Sequence, residues 1–415
     1  MSMGDLGRKV RFGVIGLGGR GQGQLGTLLQ MEDVEIPVVC DLYADRAEKG
    51  ADMVEKAKGA RPDIALDDHE VTSRTDIEGV FIFSNWETHI RIALDAVANG
   101  IRPALEVGGA NSVEECWELV RASEKKNVPV MLLENCCYNK EEMTLLRMIR
   151  LGLFGELVHV QGGYEHDLRE EIGKGDVNRH YRLRHFLNRN AELYPTHELG
   201  PIARYLNLNR GNRMVSLVSV ASKAAGLHAW LQEHRADSPL ASAPVHEGDI
   251  VNTIITCANG ETILLTHDCT LPRPYSRGGR IQGTRGIWME DNRSIFIDGR
   301  SPVDPGYWTH RWESDEKYMA EYEHPLWKEY EEFGLRGGHG GMDYLVLRAY
   351  VESVQNHTEP PIDVYDTAAW MSITALSEHS IAMGGLSVPV PDFTNGRWIT
   401  PRKPVEGMYS LDLMD

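Results

Sequence analysis

Positive charge is scarce in this chain: 43 lysines and arginines stand against 61 aspartates and glutamates, a formal net charge of −18 over 415 residues. A nucleic-acid partner needs a basic face to meet phosphates, so this balance argues against one. Cysteine is scarcer still. The six are Cys40, Cys116, Cys136, Cys137, Cys257 and Cys269; no two form a C-x-x-C pair, and several sit within apolar runs. They read as reduced, mostly buried thiols, which excludes a disulfide framework and a cysteine metal site. No apolar run reaches the length that spans a bilayer, which excludes a membrane helix. The opening residues Met1 to Lys9 hold neither an apolar h-region nor a twin-arginine signal. A cytoplasmic protein is expected, or a periplasmic one whose leader has been removed. Internal repeats and low-complexity tracts are absent as well. What remains, 42% apolar and 25% charged, is the composition of a globular protein. Its length exceeds one ordinary core, so two domains are expected.

Glycine is where the chain becomes informative. The apolar run Val10-Arg11-Phe12-Gly13-Val14-Ile15 leads into Gly16-Leu17-Gly18-Gly19-Arg20-Gly21, and Asp41 closes the next apolar run, Val38-Val39-Cys40. Strand, G-x-G-x-x-G turn, helix and an acid twenty residues on form the arrangement that holds a dinucleotide. Gly16 permits the tight turn, Gly18 the approach of a pyrophosphate, and Gly21 close packing of helix on strand. The helix N-terminus then offers free N–H groups and partial positive charge to the phosphates. Asp41 can accept hydrogen bonds from a ribose diol and repels a 2′-phosphate, so NAD is favoured over NADP.

Strands are expected at Arg11–Ile15, Val34–Cys40, Gly79–Phe83, Arg102–Leu105 and Val128–Leu132. Helices are expected between them at Gln24–Met31, Arg46–Lys58, Thr88–Asn99 and Ser112–Lys126, the last opened by a Ser112-x-x-Glu115 capping box. This alternation predicts a parallel, doubly wound Rossmann sheet over residues 1–137. The texture then changes. Val158–Tyr164, Met214–Ser222, Asp249–Cys257, Glu261–His267 and the stretch Gly286–Ile297 read as strands, with Ala258-Asn259-Gly260 as a hairpin signal. An α+β domain with a mainly antiparallel open sheet is expected over 138–415. Gly341–Asn356 and Ala368–Met383 read as helices, and the proline-rich tail from Val388 to Asp415 as a surface segment.

Polar clusters directly follow three expected strands of the first domain: Ser84-Asn85-Trp86-Glu87-Thr88-His89, Glu106-Val107 and Glu134-Asn135. At strand ends such groups are placed to meet ribose or nicotinamide, though ordinary helix capping also explains Asn85 and Asn135. In the second domain, Tyr164 sits in Gly162-Gly163-Tyr164-Glu165-His166-Asp167, and Tyr194 and His197 share one short segment. Tyr275 lies in a stiff proline loop, and His339 on a glycine hinge from Gly337 to Asp343. Tyrosine and histidine suit proton movement near neutral pH, tyrosine when its pKa is lowered. Singly, each also fits a packing or capping role. His197 and His339 have no partners at ligand spacing, so no metal is expected.

These strings resemble the Gfo/Idh/MocA oxidoreductase-like proteins and, more closely, the NAD-dependent glycoside hydrolases of family 109, whose named activity is α-N-acetylgalactosaminidase. The resemblance runs over nearly the whole chain. It rests on Gly18-Gly19-Arg20-Gly21, Glu106-Val107, Glu134-Asn135 with Tyr138, Gly163 to Leu168, Leu193-Tyr194-Pro195-Thr196-His197, Pro272-Arg273-Pro274-Tyr275-Ser276-Arg277, His324-Pro325-Leu326-Trp327 and Gly337 to Asp343. Sugar dehydrogenases of the superfamily carry Glu-Lys-Pro where this chain has Glu106-Val107-Gly108. Valine in the lysine's place agrees with the hydrolase branch, and Gly108-Gly109 for proline is expected to loosen that loop.

The resemblance implies a cycle without a carboxylate pair: transient oxidation of the sugar at C3, loss of the C2 proton, departure of the aglycone, water addition and re-reduction by bound NAD. His197, Tyr164 and Tyr194 are the implied catalytic residues, His197 and Tyr164 foremost as proton carriers. Arg182, Tyr194, His197, Tyr275 and His339 are the implied sugar contacts. NAD contacts are implied at Gly16, Gly18, Gly19, Arg20, Gly21, Asp41, Asn85, Trp86, His89, Glu106, Val107 and Asn135. The runner-up is a sugar dehydrogenase releasing NADH, and a third reading is a catalytically silent sugar or NAD binder. Expected partners are a small carbohydrate and, as an open option, further copies of the chain.

Overall fold

Branched and aromatic residues cluster in short runs that cannot face water on both sides, and these form two sheets. The computed structural model describes residues 7–304, 306, 310–400 and 402–413. The first sheet takes β1 (Val10–Ile15), β2 (Val34–Cys40), β3 (Asp63–Ala65), β4 (Gly79–Ile82), β5 (Arg102–Leu105) and β6 (Met131–Leu132), ordered β3-β2-β1-β4-β5-β6 and parallel throughout. Helices α1 (Gly19–Leu28), α2 (Ala44–Lys58), α3 (Asp68–Thr72), α4 (His89–Ala98) and α5 (Val113–Lys126) connect the strands.

The register places the site. Ile15 aligns with Cys40 and Ile82, Ile82 with Leu105, and Leu105 with Leu132. The residues that follow, Gly16, Asp41, Ser84, Glu106 and Glu134, therefore line one edge of the sheet. The strand order reverses between β1 and β4, the switch point at which such sheets bind ligands.

The second sheet has nine strands. They are β7 (Leu157–Glu165), β8 (Met214–Ala221), β9 (Ile250–Cys257), β10 (Thr262–Asp268), β11 (Arg280–Gly283), β12 (Gly286–Met289), β13 (Ser294–Ile297), β14 (Glu313–Ser314) and β15 (Val388–Pro389). The order is β14-β13-β12-β11-β7-β10-β9-β8-β15, antiparallel except for the β7–β10 pair.

Residues up to Met143, Glu323–Ala368 and those from Arg402 onward form one compact unit; Thr144–Tyr322 and those from Ala369 to the edge of that last segment form the other. The sequence reading places one boundary at 137/138; by contacts, the chain crosses after Met143 and returns at Glu323. The return is made by the helix Met342–Asn356, buried along most of its length. Its Arg348 bonds Asp33 at 2.7 Å, and the Tyr350 ring lies 5.0 Å from Phe81 and 5.5 Å from Phe12.

Several local departures have physical causes. The strand expected at Val128–Leu132 shrinks to Met131–Leu132 because Pro129 fixes φ and lacks an amide donor. Helix α1 starts at Gly19, earlier than Gln24, since glycines there hide helical periodicity. Gly286–Ile297 splits into two strands around a turn in which Arg293 has φ 47°. The tail does not simply lie over the surface: Val388–Pro389 extends the second sheet beside β8, and Val390, Phe393, Tyr409 and Leu411 are buried. Residues 401, 414 and 415 of it lie outside the described residues. All six cysteines are buried. Among the described residues no helix is long and apolar enough to cross a membrane.

Candidate active site

The turn after β1 is built as the glycine spacing predicts. Gly16 has φ +92°, and a Cβ there would meet the Phe83 carbonyl carbon and the Ser84 nitrogen at 2.5 Å; one on Gly21 would meet the Gly16 oxygen at 1.9 Å. At Gly18 a Cβ would find only the Arg46 side chain at 3.7 Å, and at Gly19 nothing within 4 Å. The backbone is thus approachable just where α1 begins, and Gly18 supplies no capping side chain to its amino end. Open backbone at a helix N-terminus fits a pyrophosphate. Asp41, buried at the end of β2, accepts from Leu17 N–H at 2.6 Å and Tyr43 N–H at 2.9 Å. Two N–H bonds leave a carboxylate further lone pairs for a ribose diol.

The other strand-end residues divide by burial. His89 has no exposed surface, holds the Ser84 carbonyl at 2.7 Å, and burial lowers its pKa to about 4. A neutral, enclosed ring supports the Ser84–Trp86 loop from within. Trp86 is itself buried, and its indole lies 2.2 Å from where a Cβ on Gly108 would stand, with Gly108 at φ +149°. The lack of a Cβ at Gly108 thus gives the tryptophan room. Asn85 accepts from the Thr88 hydroxyl through both its carbonyl and its side chain.

Arg20, Asn135 and His339 converge on a residue not singled out from sequence, Asp343, and Glu106 joins them through Arg20. Arg20 grips its carboxylate in a fork at 2.7 and 3.0 Å and reaches Glu106 at 3.2 Å. The Asn135 amide donates to Asp343 at 2.7 Å, and the His339 Nδ1 lies 2.8 Å from it. Against the cost of burial, the His339 and Arg20 bonds hold the Asp343 carboxyl far below the usual range. Glu106 also accepts from the Val107 N–H. His339, expected at the sugar, is thus bound into the dinucleotide unit's own charge network. Asp343 left no signal beyond following the glycine hinge.

In the second unit, β7 carries Tyr164 into a cluster of rings. The Tyr164 ring lies 4.4 Å from Tyr194, 5.4 Å from His197, 5.6 Å from His166 and 6.4 Å from Tyr275; Tyr194 and His197 are 4.8 Å apart. The guanidinium of Arg182 sits over Tyr194 at 5.2 Å and Tyr164 at 5.9 Å, anchored by Glu171. Four residues expected at the sugar, spread from 164 to 275, thus come together with Arg182. His166 joins them: its Nδ1 is 3.1 Å from the Tyr164 hydroxyl. Burial, aided by the charge of Arg182, lowers the His166 pKa.

One expectation is reversed. Burial pushes the Tyr164 phenol well above its ordinary value, with Arg182 opposing only in part. Tyr164 keeps its proton at neutral pH, so it is suited to donate, and a neutral His166 can accept from it. Rings and a cation gathered around polar edges are what a sugar needs, with apolar faces for C–H groups and donors for hydroxyls.

Comparison with known proteins agrees with both halves. Residues 10–133 match the oxidoreductase family with NAD-binding Rossmann fold, and 138–400 match the C-terminal domain of glycosyl hydrolase 109. The chain is 42% identical, over a 431-residue alignment, to a glycosyl hydrolase family 109 protein of Stenotrophomonas maltophilia, covering 97% of this chain and 93% of that one. It is 39% identical to an alpha-N-acetylgalactosaminidase of Tannerella forsythia, covering 94% and 87%. Among solved structures, an NAD binding oxidoreductase from Klebsiella pneumoniae matches with TM-score 0.67 at 17% identity, covering 92% of this chain and 99% of that one. The scyllo-inositol dehydrogenase of Lactobacillus casei with bound NAD(H) and scyllo-inositol matches with TM-score 0.63 at 12% identity, covering 92% and 99%. At such identities these two show the fold alone. The chain belongs to glycosyl hydrolase family 109, a glycoside hydrolase whose first unit carries the NAD-binding Rossmann fold of the Gfo/Idh/MocA oxidoreductases.

Proposed function

We propose that the protein is an exo-glycosidase that uses bound NAD to act on N-acetylgalactosaminides or related glycosides. The observation that carries this reading is the ring cluster of Tyr164, His166, Tyr194, His197 and Tyr275 with Arg182, set in a unit matching glycosyl hydrolase 109. The name of the Tannerella forsythia relative supports the substrate class. Val107, where superfamily sugar dehydrogenases carry lysine, supports hydrolysis over net oxidation.

NAD would be held by the Gly16–Gly21 turn, Asp41, Glu106 and the neighbouring loops, and when bound it takes hydride from the sugar C3 and returns it at the end, so no net oxidation accumulates. The chain's own residues then manage two protons, one at the C3 hydroxyl and one at C2, which a C3 ketone acidifies. His197 and Tyr164 carry these two protons. Tyr164, held protonated, accepts a substrate proton only as it passes its own to the His166 Nδ1 at 3.1 Å, and it takes that proton back when the sugar is restored. Loss of the C2 proton expels the aglycone from C1, and water adding across the resulting double bond completes hydrolysis. Arg182 and Tyr275 hold sugar hydroxyls or the C2 substituent.

Aryl glycosides of both anomers, offered to purified protein without added cofactor, test the reading. Aglycone release without net NADH is expected. Stoichiometric NADH would make the protein a sugar dehydrogenase, and neither product would make it a binder.

A further inference from the structure

Behind the ring cluster, the second unit buries three ionisable side chains that the proposed reaction does not use. Glu192 is 1% exposed, Glu247 0% and His267 2%. They come from three places: the segment preceding Tyr194, the approach to β9, and β10. The His267 Nδ1 lies 3.3 Å from the Glu247 carboxylate.

These groups hold the backbone of residues 191–194. The Ala191 N–H donates to Glu247 at 2.9 Å, and the Tyr194 N–H donates to Glu192 at 3.3 Å. Between them, the Glu192 N–H donates to the Ser377 hydroxyl at 2.9 Å, and the Glu192 carbonyl accepts from the Thr374 hydroxyl at 2.7 Å. Four backbone groups of a non-repetitive segment thus terminate on buried side chains. A buried backbone must find partners somewhere, but helix or strand ladders normally supply them. Burying two carboxylates and an imidazole is costly unless they satisfy one another and their neighbours. Here that cost is incurred around the residues leading into Tyr194, whose ring packs tilted against Tyr164 and edge-on to His197.

We propose that Glu192, Glu247 and His267 are positioning residues: a buried clamp that fixes the 191–194 backbone and so aims Tyr194 at the sugar. The clamp rests on the glycosidase reading for its consequence but not for its existence. Burial raises the Glu192 carboxyl to about 7 and the Glu247 carboxyl as well, while the two acids and the Cys269 thiol raise His267 despite burial. Arg189 adds positive charge on the Glu247 side.

The test compares E192L, which removes the acceptor, with E192Q, which keeps an acceptor oxygen of the same reach. Two readouts are taken at matched melting temperature: amide hydrogen exchange of residues 191–194, and kcat on an aryl α-N-acetylgalactosaminide. E192L is expected to speed exchange of the Tyr194 amide, which donates to Glu192, and to lower kcat by about tenfold or more, the scale of a misplaced site group. E192Q is expected to restore most of both. Should E192L fail to fold, S377A, which removes the partner of the Glu192 N–H and one donor to the Thr374 carbonyl, is expected to speed exchange of the Glu192 amide and to lower kcat to a smaller extent, and wild-type exchange with wild-type kcat there overturns the clamp. Unchanged exchange in E192L overturns the clamp, and so does faster exchange with wild-type kcat. If wild-type protein cleaves no aryl glycoside, the glycosidase reading falls, and the exchange arm still decides whether the clamp exists.

Discussion

The role proposed for Tyr164 rests on its surroundings. Its phenol is buried against Tyr194 and His197, faces the His166 imidazole, and is held protonated. Tyr164→Phe or His197→Ala should therefore lower turnover by about a hundredfold, the usual loss when a general acid–base group is removed. NAD content, read by mass spectrometry of extracted nucleotide, should stay unchanged; near-normal rates in both would reassign the site. In the proposed function Asp41 meets the other ligand, NAD. Removing a charged acceptor costs about 1.5–3 kcal/mol, so Asp41→Ala should weaken NAD by about tenfold or more. Recovery of NADP alone from wild-type protein would contradict this. His89 supplies a pH signature. Its pKa falls from the ordinary 6.5 to about 4 in the folded protein, so the unfolded chain takes up a proton that the folded one refuses. Its contribution is full above about pH 6.5 and is lost as pH falls toward 4, on the order of 3 kcal/mol. Urea midpoints measured against pH should fall less steeply for His89→Gln; equal slopes would refute it. Tyr164, Tyr194 and His197 were legible because unusual aromatic and imidazole strings mark them. Asp343, Glu192 and His267 were not, since a lone acid or histidine has no local signature and its partners lie far away in sequence.

At the scale of elements, the Gly16–Gly21 turn and the Gly108 loop show opposite uses of glycine. Gly18 has open space where a side chain would go, whereas Gly108 has an indole there. Gly108→Ala should lower stability by about 2–3 kcal/mol, since the Cβ must displace Trp86 and φ is positive. Gly18→Ala should leave the denaturation midpoint unchanged while reducing bound NAD, because the methyl intrudes only on the ligand. A stable Gly108→Ala, or a Gly18→Ala with full NAD content, would contradict this reading. Strong local patterns were legible here. The Ser112/Glu115 capping box forms as expected, with Ser112 accepting from the Glu115 N–H at 3.2 Å. The three-residue β3 was missed because Asp63–Ala65 is too short to show alternation, and α1 began early because its glycines disguise it.

Taken whole, the molecule is two units whose sequence segments interleave. The parallel sheet was legible because each βαβ step is local in sequence. The return of Glu323–Ala368 to the first unit was not, because the partners of Arg348 and Tyr350, namely Asp33, Phe12 and Phe81, lie some three hundred residues earlier. The fold is shared with a dehydrogenase at 12% identity and an NAD binding oxidoreductase at 17%, so fold alone does not choose between oxidation and hydrolysis. Family membership chooses hydrolysis, and the central claim is that hydrolysis here depends on bound NAD. The most direct measurement is aglycone release from an aryl α-N-acetylgalactosaminide by protein stripped of nucleotide, before and after NAD is restored. The account predicts no release from stripped protein, recovery on adding NAD, and no net NADH. Full-rate hydrolysis by the stripped protein would contradict it.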